Sequence, residues 1–133
     1  MKTASSKFAL LGAIFAGLAI AAGAFGAHSL KNILDAPSVA VFETAVRYQM
    51  YHALGLCIVS WLIERYPRIR LEPVGWLFTI GIVVFSGSLY GISLRGMHWL
   101  GVLTPVGGAS FLAGWGVLAW RLWRSERRGG ART

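Results

Sequence analysis

The stretch Phe42-Glu43-Thr44-Ala45-Val46-Arg47-Tyr48-Gln49-Met50-Tyr51-His52 gathers a carboxylate, a guanidinium, a phenol, an amide and an imidazole, then runs straight into apolar sequence that ends at Ile63. On a helix Glu43 and Arg47 stand at i,i+4, the order and spacing of an ion pair, and Tyr48 and His52 repeat that spacing. Arg47 has a second option, to snorkel toward an interface. Ser86, Ser88, Tyr90 and Thr104 add hydroxyls further along, and His28 closes an earlier apolar run. Such groups, placed in lipid, can do one of three things. They can hydrogen-bond helices together, at about 0.6 to 2 kcal/mol per bond. They can line a pocket for a small molecule, a lipid headgroup or a quinone-like ring, or they can pass a proton or an ion.

Other chemistries lack their residues. His28, His52 and His98 with Met50, Met97 and Cys57 include the ligand types of copper and haem sites. Their positions do not converge, because His28 and His98 fall at span ends while Met50 and His52 share one helix without an i,i+4 relation. Neither metal nor cofactor is therefore expected. Phe85-Ser86-Gly87-Ser88 is not the GxSxG of a nucleophile elbow, and only Glu43 and Asp35 supply carboxylates on that side, so no enzyme is expected either. Cys57 is the single cysteine, which excludes an internal disulfide and a CxxC motif.

The elements that must position these groups follow from composition. Of 133 residues 56% are apolar and 14% charged, with 17 glycines and a mean hydropathy of +0.60, which marks a membrane protein. The net charge of +8 does not imply nucleic acid as a partner, because the Lys and Arg residues cluster at the ends of apolar runs. Membrane lipids are the expected anionic neighbours.

Residues 8–27 form 20 positions without a charge, about 30 Å of helix and enough to cross a hydrocarbon core. A basic start and small residues near Gly23 also fit a signal peptide, but Gly12, Ala16, Ala19, Gly23 and Ala27 recur at helical spacing, as on a packing face. Residues 74–94 and 97–120 are two further spans joined at Arg95-Gly96. Gly87 and Gly91 offer a close-packing pair in the first, and Thr104-Pro105 with Gly107-Gly108 predicts a kink in the second. The apolar stretch before Glu64 is too short alone, so the remaining span recruits upstream residues and covers 44–63. The expected fold is all-α, a four-helix transmembrane bundle of two hairpins.

Ten basic residues fall on the side shared by the two chain ends and the middle loop, against Lys31, Arg47 and Arg95 on the other. The positive-inside rule then puts both termini and the middle loop in the cytoplasm. The carboxy-terminal arginine run reads as topology signal and lipid contact. Counting 1.5 Å per residue puts His52, Ser86 and Thr104 at one depth. Tyr48, Gln49, Ser88, Tyr90 and Arg47 lie further out, Glu43 and His28 lie at the outer rim, and the inner half is nearly pure hydrocarbon. The expected site is this outer cluster.

Gly23-Ala24-Phe25-Gly26-Ala27-His28-Ser29-Leu30, the stretch from Phe42 to Leu54, Phe85-Ser86-Gly87-Ser88-Leu89-Tyr90 and Thr104-Pro105-Val106-Gly107-Gly108 resemble, in order and over nearly the whole chain, the YgdD-like small inner-membrane family. That family is also called domain of unknown function 423 and is related to the transmembrane protein 256 family. The resemblance implies a compact four-helix inner-membrane protein whose first helix is retained, and it carries no activity, substrate or catalytic residue. Two roles remain open. One is a non-enzymatic accessory or assembly component of a larger membrane complex or homo-oligomer, docking through small-residue faces. The other is a ligand-binding or transport module built on Arg47, Gln49, His52, Ser86 and Tyr90.

Overall fold

The computed structural model describes residues 3–130, and these fold into helices joined by short turns. α1 (Ala4–His28) begins at Thr3, whose hydroxyl accepts the Ser6 N–H at 3.3 Å. α2 (Ala36–Arg65) begins at Asp35, which accepts the Ser38 N–H at 2.9 Å, with Pro37 in the first turn where its missing N–H costs nothing. The third rod is continuous but composite. α3 (Glu72–Gly81) passes through one wide π turn (Ile82–Ser86) into α4 (Gly87–Arg95). Gly96, in the left-handed region at φ 62°, ends that rod, and a tight 3-10 turn (His98–Val102) leads into α5 (Thr104–Gly130).

Three of the four rods, Ala4–Asn32, Glu72–Arg95 and His98–Arg128, are long and apolar enough to cross a membrane. Their outer faces carry residues such as Ile14, Leu18, Ile20, Ile80, Val83 and Leu112, the last 76% exposed, a surface that suits lipid rather than water. α2 is the rod that falls short of that standard. Ten of its residues are buried, against five in α1. It lies between α1 on one side and α3 and α4 on the other, while α5 packs against α3 and the π turn.

Small residues set the contacts. Along α1 the buried positions Ser5, Gly12, Ala19 and Gly26 recur every seventh residue, the repeat of a close helix seam. A methyl added at Gly12 would stand 2.7 Å from the Ala53 carbonyl oxygen, so the two backbones touch there. Gly12 and Ala19 of the stripe expected from sequence lie in this seam and Gly23 packs beside it against Val46, whereas Ala27 is exposed. Between the third rod and α5 glycine and phenylalanine alternate reciprocally. Gly107 faces the backbone of Phe85, Gly81 receives the ring of Phe111, and Gly114 receives the ring of Phe78.

Three expectations are overturned here. Thr104-Pro105 makes no kink, because α5 begins at Thr104 and Pro105 occupies its first turn. Gly87 is not a packing glycine, since nothing lies within 4 Å of where its Cβ would be. Its partner Gly91 does pack, against Leu100. The end that holds the start of α1 and the close of α5 is not pure hydrocarbon either. The Ser5 hydroxyl donates to Glu64 Oε1 at 2.6 Å, and the Ser60 hydroxyl donates to the Ser5 carbonyl at 2.8 Å, tying α1 to α2.

Candidate functional site

His52 sits midway along α2 and is engaged at both ring nitrogens. Nδ1 lies 2.8 Å from the Tyr48 carbonyl oxygen, and the Trp115 indole N–H donates to Nε2 at 3.1 Å. An indole nitrogen can only donate, so Nε2 must be the bare nitrogen and Nδ1 must carry the proton that reaches Tyr48. The neutral Nδ1–H tautomer is thereby assigned by the network. The imidazole stacks on Phe111 with centroids 3.5 Å apart and rings 11° from parallel, and it meets Phe78 edge-on at 5.3 Å. Tyr48 contributes its own ring, 4.8 Å from that of Phe85. These aromatics connect α2 to α5 across α3.

Gln49, one turn above, is also fully used. Its amide nitrogen donates to the Phe15 carbonyl of α1 at 2.8 Å, and its oxygen accepts the Tyr90 hydroxyl of α4 at 2.7 Å. Ser86, the last residue of the π turn, donates to the Ala45 carbonyl at 2.8 Å. Ser88 donates to the Phe85 carbonyl and shares a 2.7 Å hydrogen bond with Thr104. The wide turn inserts one residue, advancing the helix phase by about 100°, and wide turns of this kind recur at functional sites.

The ten candidates therefore fall into separate groups rather than one cluster. Tyr48 and His52 join the aromatic group, Gln49 pairs with Tyr90, Ser88 pairs with Thr104, and Ser86 bonds to backbone. His28, Glu43 and Arg47 are exposed and stand apart. Glu43 and Arg47 line a small pocket of about 190 Å³ with Gly23, Gly26, Phe42 and Val46, and among the described residues no ion pair closes between them. Ser86 is level with Ala45, whereas His52 is level with Phe78, so the common depth expected for His52 and Ser86 is off by about two turns, roughly 10 Å. Thr104 is misplaced for a definite reason. Residues 97–103 are spent in the connection instead of descending into the core, which leaves Thr104 beside Ser88.

Trp115 and Phe111 are the functional-site residues that sequence reasoning passed over. A tryptophan more than a turn inside the end of the expected 97–120 span needs an acceptor for its N–H, and that was the available signal.

One sizeable groove does adjoin the polar residues. About 420 Å³ of open space lies between α1 and the third rod, walled by Phe15, Leu18, Phe25, Val83 and Leu94, with Gln49 and Tyr90 among the lining residues. Its polar groups are those already bonded to each other. Among the described residues no three His, Cys, Asp or Glu side chains come together.

An all-α chain with three apolar spanning rods, a lipid-suited surface and polar groups consumed between helices defines a polytopic α-helical membrane protein. The chain belongs to the family described as protein of unknown function DUF423, whose model matches residues 22–108. It is similar to UPF0382 membrane proteins: 47% identical over 111 residues to one from Staphylococcus saprophyticus, with 84% of this chain and 92% of that protein covered. The protein YwdK of Bacillus subtilis is 46% identical over 109 residues, covering 81% and 89%. A protein of Haemophilus influenzae is 36% identical over 122 residues, covering 91% and 97%. No solved structure matches.

Proposed function

We propose that this protein is a non-catalytic accessory or assembly component of a larger membrane complex, held as a rigid helical scaffold in the cytoplasmic membrane. The observation that carries the proposal is the engagement of the polar groups in the middle of the bundle. His52 has a partner at each nitrogen, Gln49 at each end of its amide, and Ser86, Ser88 and Thr104 each bond within the protein. A general base needs a free lone pair facing a substrate, and His52 spends that of its one bare nitrogen on the Trp115 indole of a neighbouring helix.

In this reading α2 is a fourth span. It runs antiparallel along α1 from the Ser5–Glu64 contact at one end, through Phe15 and Gln49, to Gly26 against Phe42 at the other, so it matches the thickness that α1 crosses. Its polarity is tolerable because its neighbours shield it from lipid. Four spans return both termini to one side, and the excess of arginine there favours the cytoplasm.

A second reading, binding of a small molecule or lipid, is favoured by the 420 Å³ groove. Gentle detergent extraction followed by native mass spectrometry separates the two. A stoichiometric protein partner or a defined homo-oligomer supports the scaffold. A co-purifying small molecule that is lost when Gly87→Leu fills the groove supports the second reading, and a bare monomer refutes both.

A further inference from the structure

The register between the third rod and α5 is constant. Gly107 meets Phe85, Phe111 meets Gly81 and Gly114 meets Phe78, each step up one helix matched by an equal step down the other. The same register brings Leu118 opposite Val74, both in the core, and then Arg121 opposite Leu71, between Arg70 and Glu72. Arg121 thus continues the buried stripe of α5 at the level where the helices leave the hydrocarbon. Its Nη1 is buried and has no hydrogen-bond partner, the one such side-chain atom among the described residues. A buried donor left without an acceptor costs stability, more so when charged.

The surroundings supply cations rather than a counter-ion. At this end Lys7, Arg65, Arg68, Arg70, Arg121, Arg124, Arg127 and Arg128 outnumber the three carboxylates Glu64, Glu72 and Glu126. Glu64 already accepts from Ser5, Glu72 and Glu126 are exposed, and no ion pair reaches Arg121 among the described residues. Arg124 lies 5.2 Å over the Trp120 ring and Arg127 lies 4.4 Å over that of Trp123. Tryptophan favours the headgroup level, so these pairs hold two more guanidinium groups there.

We propose that Arg121 anchors a binding site for the phosphate of an anionic phospholipid headgroup. A planar guanidinium presents paired N–H donors that match phosphate oxygens. Arg121 is only half-buried and closes the apolar part of α5, the level at which headgroup phosphates are met, and the local excess of positive charge favours a headgroup with net negative charge.

The test is native mass spectrometry of the full chain titrated with phosphatidylglycerol or with phosphatidylcholine of identical acyl chains, with and without excess inorganic phosphate. The native protein should retain phosphatidylglycerol about fivefold better. Arg121→Gln should bring the two lipids to near equality, while Arg128→Gln, an exposed position losing the same charge, should leave the preference intact. Equal losses in the two variants would overturn the site in favour of diffuse charge. Displacement by inorganic phosphate would overturn the lipid as its occupant. If Arg121→Gln does not fold, Arg121→Lys keeps the charge without the planar fork and should still lower the preference; an unchanged preference refutes the proposal.

Discussion

The bond between Trp115 and His52 is the most direct test of whether the polar interior holds helices or serves chemistry. It is a neutral N–H to N bond of 3.1 Å between α5 and α2, in a region shielded from water. Interhelical hydrogen bonds of this kind average about 0.6 kcal/mol and reach about 1.7 kcal/mol. His52→Phe keeps a ring that can stack on Phe111 but removes both nitrogens, and Trp115→Phe removes only the donor and part of the indole. A double-mutant cycle on these two changes should return a coupling of about 0.6 to 1.7 kcal/mol. His52→Ala should cost more, about 2 to 4 kcal/mol, because it also empties the slot between Phe78 and Phe111, where the imidazole stacks at 3.5 Å. Reversible unfolding in mixed micelles with increasing denaturing detergent measures all four variants, and ¹⁵N shifts of the His52 ring check the tautomer directly. A coupling indistinguishable from zero, a stable His52→Ala variant, or an Nε2–H tautomer would each refute the assignment of this bond as interhelical glue and return His52 to the list of free functional groups.

Gly107→Ala should destabilise by about 1 to 3 kcal/mol in the same assay, because its methyl would run into the backbone of Phe85, which cannot swing aside. Gly116→Ala, on the same helix with nothing within 4 Å, should be neutral or stabilising by up to about 1 kcal/mol; the reverse order would refute the register. Ser38, through its side chain first and its backbone N–H second, holds the Asp35 carboxyl below the usual carboxylate range. A depressed folded-state pKa means its contribution is present above the unfolded value of about 4 and fades as pH falls through the lower folded value. Asp35→Ala should therefore differ from the native protein in stability at pH 7 and converge on it in strong acid. In a Cys57→Ala background, cysteines placed at Ser29 and Ser125 should label from opposite sides of an oriented membrane, and labelling from one side would refute four spans.

How much of this was legible beforehand depended on the kind of information required. The apolar runs of α1, the third rod and α5 announced themselves by length, since a spanning helix needs a fixed number of uncharged residues. The polar pairs also had sequence signals, because hydroxyls, amides and imidazoles in lipid must find partners. Which partner each found was not legible. Depth counting assumed that the fourth apolar run descends from Met97, whereas a tight turn at His98–Val102 holds the chain at the surface until Thr104. The π turn left no mark, as it arises from the phase needed to present Ser86 to Ala45 while Phe85 meets Gly107. Ser5 escaped notice by preceding the apolar run, although the seven-residue series Ser5, Gly12, Ala19, Gly26 was readable.

The placement of α2 explains why polarity and lipid coexist in this chain. An isolated helix carrying Gln49, Ser60 and His52 would cross a bilayer at considerable cost, and each group is instead matched to an acceptor or donor on a flanking helix. The apolar rods provide insertion and the polar rod provides specificity, because Gln49 reaches Phe15 and Tyr90 at once only when α1 and α4 both stand in register. Phosphate at Arg121 would act where this self-sufficiency fails, in the last third of α5, where one nitrogen of the half-buried guanidinium has no hydrogen-bond partner among the described residues. Lipid binding there should therefore stabilise the native protein and leave the Arg121→Gln variant unaffected, while the internal bonds at His52 and Gln49 respond to neither lipid.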